Sequence, residues 1–396
     1  MYFPEEPFDL SPSQGGGYFS ATMGQKLNGG RFQIVRKLGY GPRSSTWLAR
    51  GQENYFAIKI YTIAASEYAR TVEVPILKVV HGLERNDGLP ACRGDFWEQT
   101  RAGSHLCLVL DPMSTTVQAF MHEADHERLP IHAVQRIVLT VANALSSLHD
   151  VGIMHGAVSP ENVYFRRLAS GTEDIKSVLA SEPRPTIRKN KIYPVVISQP
   201  LGHGCSWDDK KKKIANWSLY LCGFGHAHQS NPQDRLKSTQ TNVDYSFAPE
   251  TLLHSAYCSD KTDIWMLGYM TFYLLTGTSP FVTKPTVSET VAHISGVLRH
   301  GKCPDSIPIE WLEDENMADY HAVVSEDYHA VVSEDTIEKS LSEVLHGDDA
   351  VWAAEFIRDC LRVDPMRRPH ASGLYQYKWF EELTPPGCDC GWWCCN

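Results

Sequence analysis

Two hydrophobic periodicities divide this sequence and restrict the folds that it can adopt. Between residues 32 and 61 apolar residues recur at alternate positions, as in half-buried strands, and a further apolar strand is predicted at 106–110. The segments at 132–149, 261–276 and 350–362 instead have the apolar pattern of helices. A β-rich part followed by a helix-rich part predicts a two-lobed α+β architecture.

Charge and hydropathy narrow the classes of function. A net charge of -10 argues against direct nucleic-acid binding, which needs a basic surface, and is compatible with a basic peptide or protein partner. No apolar run approaches the ~20 residues of a membrane span, and residues 1–30 contain no apolar signal core. We therefore expect an intracellular protein, cytoplasmic or nuclear, in which most of the 11 cysteines are buried thiols. No oligomeric state is predicted.

A glycine-rich turn lies between two predicted strands, at residues 38–44 (LGYGPRS). Glycines at such a turn let the backbone approach phosphate groups closely, and Lys59 follows on the next strand, in Ala57-Ile58-Lys59. Two plainer interpretations stay open. A hairpin turn uses glycine without any ligand, and a lysine at the exposed edge of a strand is common.

Five further motifs follow along the chain. The first, at 155–162, keeps His155, Pro160 and Asn162 of the pattern H-R-D-L-x-x-x-N but has Ala157 at the Asp position. The others are GFG at 223–225, APE at 248–250, DIWMLG at 263–268 and DPMRRP at 364–369. Such a set in this order is not plausibly produced by chance.

Together the motifs resemble a eukaryotic protein kinase domain, and the chain is most similar to the SR-protein kinase family, particularly its fungal members. The segment LGYGPRSSTWL at 38–48 resembles that family's L-G-W-G-x-F-S-T-V-W-L. NGGRF at 28–32 resembles its lead-in, and SQPL at 198–201 follows a long insert, as in the family. The resemblance spans about residues 24–382. It implies a small antiparallel β N-lobe with one helix and a larger, mostly helical C-lobe.

The resulting domain plan has four parts. They are a flexible lead-in at 1–30, the N-lobe at 31–111, the C-lobe at 112–382 with inserts at 166–216 and 310–343, and a Cys/Trp-rich tail at 383–396.

The resemblance also implies site residues. Those expected to bind ATP are Leu38, Gly39, Gly41, Ala57, Lys59, Asp111 and Met113. Asp263 should support the catalytic loop, and Arg368 should pair with Glu250.

The catalytic acids are the main departure from the family pattern. Ala157 replaces the Asp that accepts the substrate proton, and Gly223 replaces the Asp that binds Mg²⁺, so no catalytic residue is intact. Asn162 is retained as a metal-ligand position, but Mg²⁺ binding is doubtful. Pro75 stands where the helix Glu that pairs with Lys59 is expected, and Glu73 lies two residues away.

Two functions from different classes follow. The first is a pseudokinase with a regulatory or scaffolding role and residual ATP binding. The second is an active ATP-dependent serine/threonine kinase that phosphorylates Arg/Ser-rich proteins. The acidic insert at 310–343 has 11 acidic residues and one Lys, and as a third hypothesis it docks a basic partner.

Three local features are given the simpler interpretation. The lysine run at 210–213 is expected to be a solvated loop, with targeting or docking as the alternative. The direct repeat at 320–335 is too short for a solenoid and is expected in a surface insert. In the tail, Cys388, Cys390, Cys394 and Cys395 fit neither a zinc knuckle nor a prenylation box, so we expect adventitious thiols rather than a metal, lipid or redox site.

Overall fold

The chain divides into two compact units. The sheet unit comprises Met1–Thr116, Tyr164–Cys205 and Trp217–Gly225, and the helical unit comprises Val117–Val163, Ser206–Asn216 and His226–Asn396. The computed structural model describes residues 5–14, 16–84, 88–166, 172–182, 185–189, 194–229, 248–253, 258–282, 284–299, 305–326 and 336–383.

A six-stranded antiparallel sheet forms the sheet unit. Its strands are β1 (Lys26–Leu27), β2 (Phe32–Gly41), β3 (Ser44–Gly51), β4 (Asn54–Tyr61), β5 (Cys92–Gln99) and β6 (Ser104–Leu110), in the order β1-β2-β3-β4-β6-β5. The strands predicted from alternation and the apolar strand at 106–110 are confirmed. β5 was not predicted: it lies at the sheet edge and contains mainly polar and half-exposed residues.

One face of the sheet is buried by the segment that precedes it. Phe19 and Ala21 pack with Trp47, Ile58 and other strand residues in one apolar cluster. Lys37, which is fully buried, forms ion pairs with both Glu5 and Glu6. We expected a flexible lead-in at 1–30, whereas Glu5, Glu6, Phe19 and Ala21 are buried on the sheet, where they have charged or apolar partners.

A helix with a π-helical turn follows β4. Its parts are α1 (Ile63–Tyr68), the turn at Ala69–Glu73 and α2 (Val74–His81). Pro75 lies in the first turn of α2, and the Val74 N–H donates to the carbonyl of Ala69, five residues earlier. Proline cannot donate to the usual helical carbonyl and its ring crowds that position, so the wider turn accommodates it without breaking the helix.

The first insert adds a helix to the opposite face of the sheet. Helix α5 (Thr172–Ser181) buries Ile175 and Val178 against Leu48 and Leu201. Two ribbons complete the unit: β8 (Val163–Arg166) with β11 (Ser218–Leu221), and β9 (Ile187–Lys189) with β10 (Pro194–Val196). The prediction assigned residues 166–216 to the C-lobe, but 164–205 belong to the sheet unit because their apolar side chains complete its core.

The helical unit is built around two long helices that pack on each other, α4 (Ile131–His149) and α7 (Asp260–Thr276). A capping box at Ser259 begins α7, and Gly277, with φ 77°, ends it. The other elements are α3 (Val117–His122), β7 (Ile153–Met154), α6 (Lys211–Ile214), β12 (His228–Gln229), α8 (Val287–Val297), α9 (Tyr320–Glu326), α10 (Ile337–Ser342) and α11 (Asp348–Cys360). The predicted helices at 132–149, 261–276 and 350–362 are confirmed.

The structure describes the lysine run and part of the acidic insert. The lysine run is not a loop but a helical turn, α6, that buries Ile214 and leaves Lys212 and Lys213 exposed. In the acidic insert Glu310, Glu313, Glu315, Asp319 and Glu343 are exposed, whereas Asp314 is buried. Trp311, Met317 and Leu341 of the insert are also buried. The second copy of the repeat and the four tail cysteines lie outside the described residues. Among the described residues, no helix is long and apolar enough to cross a bilayer.

The packing of α5 gives a first prediction. Ile175 is 4% exposed, so Ile175→Ala should lower the free energy of unfolding by about 2–4 kcal/mol, because it removes buried methyl groups and leaves a cavity. Urea denaturation measures the change. Lys176→Ala, on the exposed face of the same helix, is the matched control. An effect of Ile175→Ala no larger than that of the control would contradict the packing described for α5.

Candidate functional site

A buried ion pair joins the sheet to the helix that follows β4. Lys59 on β4 lies opposite Thr46 on β3, and its Nζ is 2.8 Å from Oε1 of Glu73. The side chains are 21% and 5% exposed. The prediction placed Pro75 at the partner position, which is wrong. The π-helical turn adds a residue to the helix before Pro75, and a pattern with uniform helical spacing cannot show this.

Lys59 has the main influence on the ionisation of Glu73. Burial alone would raise the pKa of the Glu73 carboxyl, but Lys59 and, to a smaller extent, the Tyr61 hydroxyl and Arg43 lower the pKa below its ordinary value. The carboxylate is therefore charged at neutral pH and holds Lys59 in place on the sheet.

The main chain of the glycine-rich turn at 38–44 has open space beside its two glycines. A Cβ on Gly39 or on Gly41 would meet nothing within 4 Å, so a ligand could approach the main chain there. Two contacts fix the turn: the Tyr18 hydroxyl donates to the Gly41 carbonyl at 2.7 Å, and the Thr62 N–H donates to the Arg43 carbonyl at 2.9 Å. The sequence did not identify Tyr18, because nothing in its local pattern indicates this long-range contact.

The remaining residues expected to bind ATP lie in the same unit. Ala57 on β4 pairs in register with Leu110, directly before Asp111. The Asp111 carboxylate accepts two hydrogen bonds from Arg93, at 2.9 and 3.1 Å. Leu38 packs against the apolar cluster around Leu48 and α5. The structure thus places Leu38, Gly39, Gly41, Ala57, Lys59, Asp111 and Met113 in the sheet unit.

The GFG segment also belongs to the sheet unit. Gly223 adopts φ 85°, a left-handed conformation that glycine tolerates and that Asp and Asn adopt more readily than other residues. Its predecessor Cys222 is not a reactive thiol, because burial raises its pKa to about 12, despite an opposing effect of Lys59. This segment therefore supplies neither a carboxylate nor a thiolate at neutral pH.

The loop at 155–162 lies in the helical unit and is supported by one buried carboxylate. Asp263 on α7 is fully buried and accepts hydrogen bonds from the main-chain N–H groups of His155 and Gly156, at 2.7 and 2.8 Å. Nε2 of His149 on α4 is 2.9 Å from the same carboxylate. The supporting role that the resemblance implied for Asp263 is therefore present in the structure.

Position 157 of this loop carries no side chain that can react. The methyl group of Ala157 can neither accept a proton nor orient a nucleophile. The Asn162 side-chain amide donates to the Ala157 carbonyl at 2.8 Å and so stabilises the loop itself. Gly156 adopts φ 73°, and a Cβ there would lie 2.8 Å from the carbonyl oxygen of His226, so a larger residue would require movement.

A second buried charge pair organises the helical unit. Arg368 binds Glu250 through two hydrogen bonds of 2.6 and 2.8 Å, and both side chains are almost fully buried. Thr262 donates to the same carboxylate at 2.8 Å, and the guanidinium lies 4.9 Å from the ring centroid of Trp265. This bidentate pair is the one that the resemblance implied.

The side chains present do not fit Mg²⁺. This ion prefers carboxylate oxygens in octahedral geometry, and Gly223 offers none. Asn162 donates from its amide nitrogen to Ala157, and its amide oxygen alone is a weak ligand set. In the part of the chain that the structure describes, no group of three or more His, Cys, Asp or Glu residues is arranged to hold a metal ion.

Comparisons with known proteins agree with this geometry. The protein kinase domain family model matches residues 207–380. A solved kinase domain superposes with a TM-score of 0.65 over 92% of this chain and 98% of its own, at 18% identity. The chain has the fold of a protein kinase domain and is similar in sequence to protein kinases.

Its relatives by sequence are serine/threonine kinases. A serine/threonine protein kinase of Aspergillus fumigatus is 25% identical over 357 residues, which are 88% of this chain and 84% of that protein. Human SRSF protein kinase 3 is 29% identical over 199 residues, 46% of this chain. The chain matches only about a third of the length of the mouse, pig and human SRSF kinases. The predicted two-lobed kinase fold is confirmed.

The ionisation of Glu73 predicts a pH dependence. Because its folded-state pKa is lowered, its contribution to stability is complete above the ordinary value of 4.5 and is lost as pH falls through the folded-state pKa. At neutral pH the wild type should exceed Glu73→Gln in unfolding free energy by about 1–3 kcal/mol, and the difference should shrink on acidification.

Thermal unfolding at several pH values measures this difference. Glu67→Gln, an exposed acidic residue on the same helix, should change little at any pH. A difference between wild type and Glu73→Gln that stays constant or grows as pH falls would contradict the lowered pKa.

Proposed function

We propose that this protein is a pseudokinase, an intracellular protein with a kinase fold that acts by binding in a regulatory or scaffolding role. One observation supports this proposal above the others. The catalytic loop keeps the hydrogen bonds that its main chain donates to Asp263 and accepts from Asn162, yet Ala157 carries no group that can take the substrate proton. The shape of the loop is retained without its general base.

The energetic cost of these replacements is large. Loss of a general base typically costs 10²–10⁴-fold in rate. Replacement of the Mg²⁺-binding Asp by Gly223 removes a separate source of charge stabilisation, although the effects within one catalytic unit do not simply add. A combined loss above about 10⁴-fold corresponds to roughly 5 kcal/mol or more.

The residues that would bind a nucleotide are still present, although the catalytic acids are not. The Glu73 carboxylate still positions Lys59, whose side chain is 21% exposed, and the main chain at Gly39 and Gly41 is open to phosphates. Lys59 would hold the phosphates, and main-chain groups at Asp111 and Met113 would hold the base. We therefore include ATP, bound without Mg²⁺, as a ligand of the proposed pseudokinase.

The alternative is an active serine/threonine kinase for Arg/Ser-rich proteins. The intact pair between Lys59 and Glu73 favours it, because active kinases require this pair. The similarity to SRSF protein kinases supports the substrate class. In either case a basic protein partner suits the exposed acidic residues Glu310, Glu313 and Glu315.

Thermal shift with ATP tests the proposal. In the presence of EDTA, ATP should raise the melting temperature, because it binds the folded state, and added Mg²⁺ should bring no further increase. Lys59→Ala should abolish the shift, whereas Lys26→Ala, an exposed lysine on β1, should leave it intact. A stabilisation that appears only with Mg²⁺ would contradict the proposal and favour the active kinase.

A further inference from the structure

Tyr18 connects the lead-in at residues 1–30 to the glycine-rich turn at 38–44. Its hydroxyl donates to the Gly41 carbonyl at 2.7 Å. One residue earlier, the Gly17 carbonyl accepts the N–H of Ile63, the first residue of α1, at 3.0 Å. Residues 17 and 18 therefore join the turn to the start of the helix that leads to Glu73.

The residues on either side of Tyr18 have fixed positions. Gly17 adopts φ 80°, and a Cβ there would lie 3.3 Å from Cβ of Ile63, so any other residue would be both strained and crowded. Phe19 is buried in the apolar cluster of the sheet, and its ring centroid lies 5.2 Å from that of His105. The Tyr18 side chain is thus held between two neighbours that the sheet unit places.

Buried charges attach the beginning of the lead-in to the same unit. Lys37 on β2 forms ion pairs with Glu5 and Glu6, and Glu5 also accepts the N–H of Ser198 at 2.8 Å. The lead-in is therefore attached to the sheet unit both before and after Tyr18. The hydroxyl approaches the glycine-rich turn from this fixed support.

A glycine-rich turn gains from such a restraint. Glycine has the largest backbone freedom of any residue, and Gly39 and Gly41 both lie in this turn. A turn that is mobile in the free protein loses this freedom when it closes on a ligand, and the loss lowers affinity. The hydrogen bond from Tyr18 restricts the main chain at Gly41 before a ligand arrives.

We propose that Tyr18 is a positioning residue for nucleotide binding, because it holds the main chain of the glycine-rich turn in the conformation that receives the phosphates of a nucleoside di- or triphosphate. This inference rests on the nucleotide binding proposed above and deepens it. Tyr18 acts through the Gly41 carbonyl and not by contact with the ligand. The lead-in thereby becomes part of the support of the binding site.

Two measurements on the full chain test this role. Calorimetric titration with ATP in EDTA gives the affinity, and hydrogen exchange of the nucleotide-free protein reports local opening at 38–44. Tyr18→Phe removes only the hydroxyl. It should weaken ATP binding about 2–10-fold, the usual effect of losing one hydrogen bond, and should speed exchange at 38–44.

Tyr55→Phe is the matched control. Tyr55 is a half-buried tyrosine on β4 that packs against the apolar cluster around Leu48 and α5. This variant should bind ATP and exchange at 38–44 like the wild type. In Tyr18→Phe the amides of β6 should also keep the wild-type exchange rate, because positioning of the turn is a local effect.

The outcomes separate this inference from the proposed function. Wild-type affinity or wild-type exchange at 38–44 in Tyr18→Phe would overturn the role of Tyr18 and leave nucleotide binding standing. Faster exchange in β6 as well as at 38–44 would show that the hydroxyl stabilises the whole sheet, which also overturns it. If the wild type binds no ATP in EDTA, the nucleotide-binding part of the proposed function fails, and the role of Tyr18 fails with it.

Discussion

A buried carboxylate must be neutralised by groups that the fold itself supplies, and this constraint organises both units. Glu73 is held by Lys59 in the sheet unit. In the helical unit, Asp263 is held by two main-chain N–H groups and His149, and Glu250 is held by Arg368. Removing Arg368 would leave the charge of Glu250 buried without its cation, and breaking a buried pair in this way typically costs about 3–5 kcal/mol.

Positions 157 and 223, where the kinase pattern has Asp, differ from these buried carboxylates because the fold does not depend on an acid there. The Ala157 main chain donates to His155 and accepts from Asn162, so these two hydrogen bonds of the loop need no carboxylate at position 157. The replacement at position 157 therefore removes a reactive group and keeps these contacts. Glu73, Asp263 and Glu250 are needed for the stability of the fold. Acidic residues at positions 157 and 223 would be needed only for catalysis.

Much of this fold could be predicted from the sequence, because residues at 32–61 and 132–149 show the clear periodicities of strands and of a helix. The order of the motifs along the chain then indicates the kinase fold. β5 was missed because an edge strand with two partly exposed faces lacks the apolar alternation of a half-buried strand. Glu73 was misplaced because a π-helical turn changes the helical register locally. The packing of Phe19 and of α5 depends on contacts between residues distant in sequence, which no local pattern contains.

The central claim is that this kinase fold keeps its structure and has lost phosphoryl transfer. Incubation of the purified protein with γ-labelled ATP, Mg²⁺ and an Arg/Ser-rich peptide measures that loss most directly. The account predicts that labelling of the peptide equals that of a Lys59→Ala variant over a long incubation. Labelling that exceeds the variant and grows with time would contradict it.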